Sequence, residues 1–67
     1  MELTSIAGSK ATVTIGADEL AFLSNAINEA LEAVEEWEFP VRTGETTARA
    51  REIQSQLSEI VDRLRGA

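Results

Sequence analysis

The stretch Trp37-Glu38-Phe39-Pro40-Val41-Arg42-Thr43-Gly44 decides how the chain is read. It holds the only Trp, the only Pro and one of the two Phe residues. Pro40 disfavours the α region at Phe39 and so ends a helix there. Gly44 permits a positive φ in a connector. A helical pattern lies on each side of it. Working back from Trp37, the residues Leu20, Leu23, Ile27, Ala30, Val34 and Trp37 are spaced 3-4-3-4-3. That is the seam of a helix packed on another helix. Leu31 widens the seam on one side, and Phe22, Ala26 and Ala33 widen it on the other. An arc that wide touches two neighbours. Working forward from Gly44, Ala50, Ile53, Leu57, Ile60 and Leu64 repeat the pattern, with Val61 beside them.

The expected boundaries follow from end signals. Gly16 is a weak N-cap, and Asp18 and Glu19 suit the positive end of a helix spanning 17–38. A connector fills 39–45. Thr46 is the preferred N-cap of a helix over 46–65, with Thr43 as the alternative, and Gly66 suits the C-terminal cap. A connector this short predicts an antiparallel helical hairpin. Ahead of the helices, Ala11, Val13 and Ile15 alternate with Lys10, Thr12 and Thr14, which is the period of a strand. Gly8-Ser9 separates this run from a second short run, so residues 2–15 read as a β-hairpin whose first strand has an unclear register. A lone hairpin is marginal in water. It is expected to pack on the Phe22 side of the first helix, or to offer its edges to another chain. The fold class is therefore α+β, ββαα, a single domain with a core of Leu23, Ile27, Val34, Ile53, Leu57 and Ile60.

Composition narrows the chemistry. The chain has 67 residues, no Cys and no His. It offers no disulfide, no thiolate metal site and no imidazole base. Ser24, Ser55 and Ser58 have no base beside them, and Glu29, Glu32 and Glu36 lack the E-x-x-H partner of a di-metal site. No glycine loop for phosphate is present. The expectation is a protein that is not an enzyme and takes no cofactor or metal. A formal net charge of −6 argues against nucleic acid, whose binding rests on Lys and Arg. No apolar run approaches a membrane span, and Met1-Glu2 does not open a signal peptide, which points to the cytoplasm.

The charges are segregated. Residues 17–38 carry seven acids and no base, while residues 46–65 carry Arg49, Arg51, Arg63 and Arg65 against three acids. Glu35, Glu36 and Glu38 lie at the negative end of the helix dipole, and Glu32 and Glu36 repel one turn apart. A sequence that breaks a local rule in this way marks a surface kept for a partner. The competing reading is neutralisation within the monomer by Arg42 and Arg49. Trp37 either closes the end of the seam or serves as an interface anchor. Phe39 and Val41, flanking Pro40, are not both easily buried. Asn25 and Asn28 are solvated polar groups, or hydrogen-bond a partner or the connector.

Ala26-Ile27-Asn28-Glu29, followed by Glu38-Phe39, Arg42 and Gly44, resembles a family of short uncharacterised bacterial proteins. Their pattern is of the type LxNALNE…EFxTRxG followed by a Ser- or Thr-capped helix. The resemblance spans roughly residues 12–60, with Ile27 in place of the usual Leu and Pro40-Val41 in the variable step. Some members are similar to immunity proteins in being encoded beside polymorphic toxins. The resemblance implies that Asn28, Glu29, Glu38, Phe39, Arg42 and Gly44 form one unit, with Glu38 and Arg42 close enough to pair. Two functions are expected from these features. The first is a small acidic protein-binding module, immunity-like, that covers a basic site on a partner through Glu32, Glu35, Glu36, Trp37, Glu38, Phe39 and Arg42, with Asn28, Glu29, Pro40 and Gly44 as its structural support. The alternative is a self-associating module, a homodimer through its helices or hairpin edge.

Overall fold

A computed structural model describes residues 1–66. The chain is α+β: strand β1 (Glu2–Ala7), strand β2 (Lys10–Thr14), helix α1 (Ala17–Ala33), a short helix α2 (Phe39–Thr43) and helix α3 (Thr47–Leu64). The strands pair antiparallel across Gly8-Ser9. Gly8 has φ +60°, which suits the first central position of a type II′ hairpin turn. The ladder shifts between Leu3 and Ser5. That bulge resolves the poor alternation of β1. It puts Leu3 opposite Val13 and Ile6 opposite Ala11, so the four apolar residues share one face.

The helices run antiparallel. Ser24 meets Ser58, Asp18 meets Arg65, and Glu36 meets Thr47. Thr46 caps α3 as expected, its Oγ1 accepting the Arg49 N–H at 3.1 Å. At the start of α1 the Glu19 carboxylate accepts the Gly16 N–H at 3.2 Å, half of a capping box. The N-terminal ammonium also reaches Glu19, at 2.8 and 3.1 Å. These donors, the ammonium first and the Gly16 amide second, hold the Glu19 carboxyl below its ordinary range.

Three expectations are corrected. First, α1 ends at Ala33, not 38, and Val34 is extended at φ −103°, ψ 131°. Glu32, Glu35, Glu36 and Glu38 crowd the negative end of the dipole, and a helix carried through them would hold those charges against its own carbonyls. The connector is longer in consequence, and residues 39–43 within it form α2. Pro40 does not terminate the preceding helix; it lies in the first turn of a new one, where its missing N–H is not needed.

Second, the hairpin does not pack on the helices. Every residue of both strands is exposed. An ion pair between the Met1 ammonium and Glu19 ties the hairpin's start to α1.

Third, the seam is rotated. The buried residues are Leu20, Ser24, Phe39, Thr47, Ala50 and Val61. Of the expected core, Leu23, Ile27, Val34, Ile53 and Leu57 are half-buried and Ile60 is exposed. Ser24 and Ser58 share a hydrogen bond of 2.9 Å at the centre of the helix contact, within reach of the Gln54 amide. Small and polar residues let the helices meet there, and the larger apolar residues turn to an open side. That side is a groove of about 300 Å³ bordered by Leu23, Ala26, Ile27, Ala30, Ala50 and Ile53. No described helix is long and apolar enough to cross a membrane.

Candidate functional site: the acidic elbow

The segment from Val34 to Thr46 joins the two long helices and contains most of the residues expected to meet a partner. Its backbone is closed by local bonds. The N–H groups of Glu38 and Phe39 both donate to the Glu35 carbonyl, at 3.0 and 2.9 Å. The Gly44 N–H donates to the Pro40 carbonyl at 2.8 Å, with Gly44 in the left-handed region at φ 81°. The Thr43 hydroxyl donates to the Phe39 carbonyl at 2.8 Å and accepts the Glu45 N–H at 3.2 Å.

This path separates two aromatic residues. Phe39 is only 2% exposed and fills the end of the helix pair. Trp37, read either as closing the seam or as an interface anchor, is 77% exposed and does not close the seam. Leaving α1 at Val34 carries Trp37 out of phase with the helix face it would have occupied. Phe39, expected among the partner-contacting residues, is too buried to contact one and is structural instead. Val41 is 83% exposed, so of the pair flanking Pro40 one is buried and one is not.

The charges settle into a mixed arrangement. Arg42 Nε donates to Glu38 Oε1 at 2.9 Å, the expected pair across the turn. Glu36 accepts the Thr47 hydroxyl at 3.3 Å. Arg49 does not neutralise the cluster; it pairs with Glu52 on its own helix at 2.9 Å. Among the described residues Glu32 and Glu35 have no ion-pair partner. Asn28 and Glu29 are exposed on α1, and among the described residues no hydrogen bond joins them to the elbow. The structure thus assembles Glu35, Glu36, Trp37, Glu38, Val41 and Arg42 on one short segment and leaves Asn28 and Glu29 outside it. Thr47, buried against this segment, went unmarked in the sequence because its hydroxyl gains a role only when α3 folds back beside Glu36.

The two hydroxyls brought together, Ser24 and Ser58, bond each other and the Gln54 amide, an arrangement with no strong base. No group of three metal-ligating side chains converges among the described residues. No family model, no curated protein and no solved structure matches the chain.

Proposed function

We propose that the chain is a non-catalytic protein-binding module of the cytoplasm whose elbow docks on a basic partner protein, covering a basic site as an immunity-like inhibitor does. One observation carries this reading: the sole Trp stands almost free of its own chain, on a segment that also displays Glu35, Glu36 and Glu38. A large aromatic side chain left in water forfeits the burial it could have had, and Trp is the residue type most enriched at the energetic centres of interfaces. The acids around it supply steering toward positive charge. The elbow is also braced internally by Phe39, Gly44 and the Glu38–Arg42 pair, so little ordering entropy is lost when it docks.

Trp37 is the only Trp, so its fluorescence reports on this one position. The test uses the immobilised chain and its Trp37→Ala variant against a lysate of the source cell at low salt. The reading expects a partner retained by the parent chain, lost with Trp37→Ala and released by salt, and a blue shift of Trp37 emission when the purified partner is added. A partner retained equally by both chains, with no change in Trp37 emission, contradicts it.

A further inference from the structure

The open side of the molecule is a different surface from the elbow. From its mass of 7.3 kDa, a compact monomer would expose about 4,200 Å². The chain exposes 5136 Å², roughly 900 Å² more. Its radius of gyration is 13.4 Å against about 11 Å for a compact chain of this length. Its extents are 35 × 33 × 15 Å, broad and thin.

Two exposed apolar surfaces lie on this side. The first is the hairpin face made by Leu3, Ile6, Ala11 and Val13, opposite a polar face of Glu2, Ser5, Lys10, Thr12 and Thr14. A strand pair with one apolar face and one polar face is patterned for half-burial, yet Ile6 is 69% exposed. The second is the groove along α1 and α3, lined by the small residues Ala26, Ala30 and Ala50 and the branched residues Leu23, Ile27 and Ile53. A shallow pocket between Met1, Phe22 and Leu23 joins the root of the hairpin to the groove, and Phe22 there is 70% exposed. The hairpin leaves from the start of α1, whereas Phe39, Thr43 and Glu45 bound the groove toward the elbow. The hairpin of one chain does not reach its own groove.

We infer that a second copy of this chain covers the open side, in a two-fold dimer in which the apolar hairpin face of each copy lies in the helix groove of the other. The chain supplies both complementary parts: a ridge of branched apolar side chains and a groove whose alanines admit them. Reversing one copy end to end brings each ridge to the other's groove, the self-complementary contact that a two-fold axis demands. The excess surface of one chain matches the roughly 800 Å² per partner that a stable interface buries. Each copy carries a net charge of −6, so like charges oppose the pairing and added salt tightens it. A basic partner at the elbow shows the opposite salt dependence.

The test is sedimentation equilibrium combined with disulfide trapping, which is clean because the chain has no Cys. The parent chain is expected at twice the single-chain mass, with association tightened by salt. Ile6→Asp is expected to weaken association by about 30-fold or more, the effect of losing a central apolar contact. Its helical circular dichroism should stay that of the parent, because Ile6 is buried against nothing in its own chain. Ile6→Cys mixed with Ala26→Cys is expected to form a disulfide-linked pair that neither variant forms alone. Trp37→Ala should leave the mass unchanged. A parent chain of single mass at every concentration overturns the inference. So does Ile6→Cys linking to itself, which would mean hairpin joined to hairpin, and so does a dimer that yields no link in the mixture.

Discussion

The two ends of the helix pair hold themselves together in different ways. At the elbow, the thirteen residues from Val34 to Thr46, helical only over α2, are closed by short backbone bonds, an ion pair, a glycine cap and a buried Phe39. At the other end, a hairpin whose ladder is interrupted only by the bulge at Leu3/Ser5 leaves every strand residue exposed and is tied to α1 through the Met1–Glu19 pair. Regular hydrogen bonding alone does not integrate an element into a fold, because a hydrogen bond contributes only about 0.5–1.5 kcal/mol net while apolar burial provides the dominant favourable term. The irregular end is the better anchored because it buries an aromatic ring. The regular end is patterned for burial that its own chain does not provide.

The largest expected contrast comes from truncating one apolar residue at each end. Phe39→Ala should destabilise the chain by about 3–5 kcal/mol. In a small domain with a stability near the lower end of the usual 5–15 kcal/mol, that brings it close to global unfolding. Val13→Ala, measured at concentrations low enough to keep the chain monomeric, should move the denaturant midpoint by no more than the roughly 0.5 kcal/mol typical of a surface substitution. Equal losses at both positions would erase the distinction between the two ends.

The two turn glycines give a smaller contrast of the same kind. Gly44 and Gly8 both have positive φ, and neither has a neighbour that an added Cβ would strike. Ala at either site therefore meets backbone strain alone, about 1–2 kcal/mol. Gly44→Ala should register in global unfolding, because the elbow is part of the cooperative core. Gly8→Ala should open the hairpin while leaving the helical transition where it was. Thermal melts followed at a helical wavelength and by hairpin chemical shifts separate the two.

Smaller still is the effect of the acids. Glu35→Gln with Glu36→Gln should leave the monomer as stable as before or raise it by a few tenths of a kcal/mol, since both charges lie just beyond the negative end of α1. A clear loss of stability that salt relieves would mean the cluster is neutralised within the chain, contrary to the partner-surface reading. The smallest effect is at Glu19. Its folded-state pKa is lowered by the Met1 ammonium and then by the Gly16 amide. The stabilisation is therefore present above the unfolded pKa and lost as pH falls through the lowered folded value. The carboxylate lies at the surface, so the loss should appear in the hairpin-to-helix tether, followed by chemical shifts of residues 1–4, rather than in the global midpoint. Glu19→Gln should abolish that pH dependence.

Features set by neighbours in sequence were readable from the sequence. The caps at Gly16 and Thr46, the positive φ of Gly44 and the Glu38–Arg42 pair each depend on a few adjacent residues, and each stands where the residues place it. The end of α1 was harder to read. Its apolar spacing runs on through Val34 and Trp37, while the acids beside them weigh against helix, and spacing alone does not rank the two. The rotation of the seam was hidden for another reason. A wide apolar arc states how much of a helix avoids water and not which part meets which neighbour. Ser24, outside the expected seam, is buried because a hydroxyl on the facing helix completes its hydrogen bonding. At the site, the acids, Trp37 and Arg42 were legible as a cluster. Which of Trp37 and Phe39 is buried was not, since it follows from where α1 stops.

Amide hydrogen exchange measured across protein concentration tests the contrast most directly. Local openings set the protection of each segment, while a second copy that binds only the folded chain adds protection by mass action. At concentrations that keep the chain monomeric, the Phe39, Arg42 and Gly44 amides should already be protected and those of residues 2–14 should exchange freely; raising the concentration should bring the hairpin amides up toward the protection of the elbow. Hairpin amides protected to the same degree at every concentration, or elbow amides as unprotected as the hairpin in the monomer, would contradict the account.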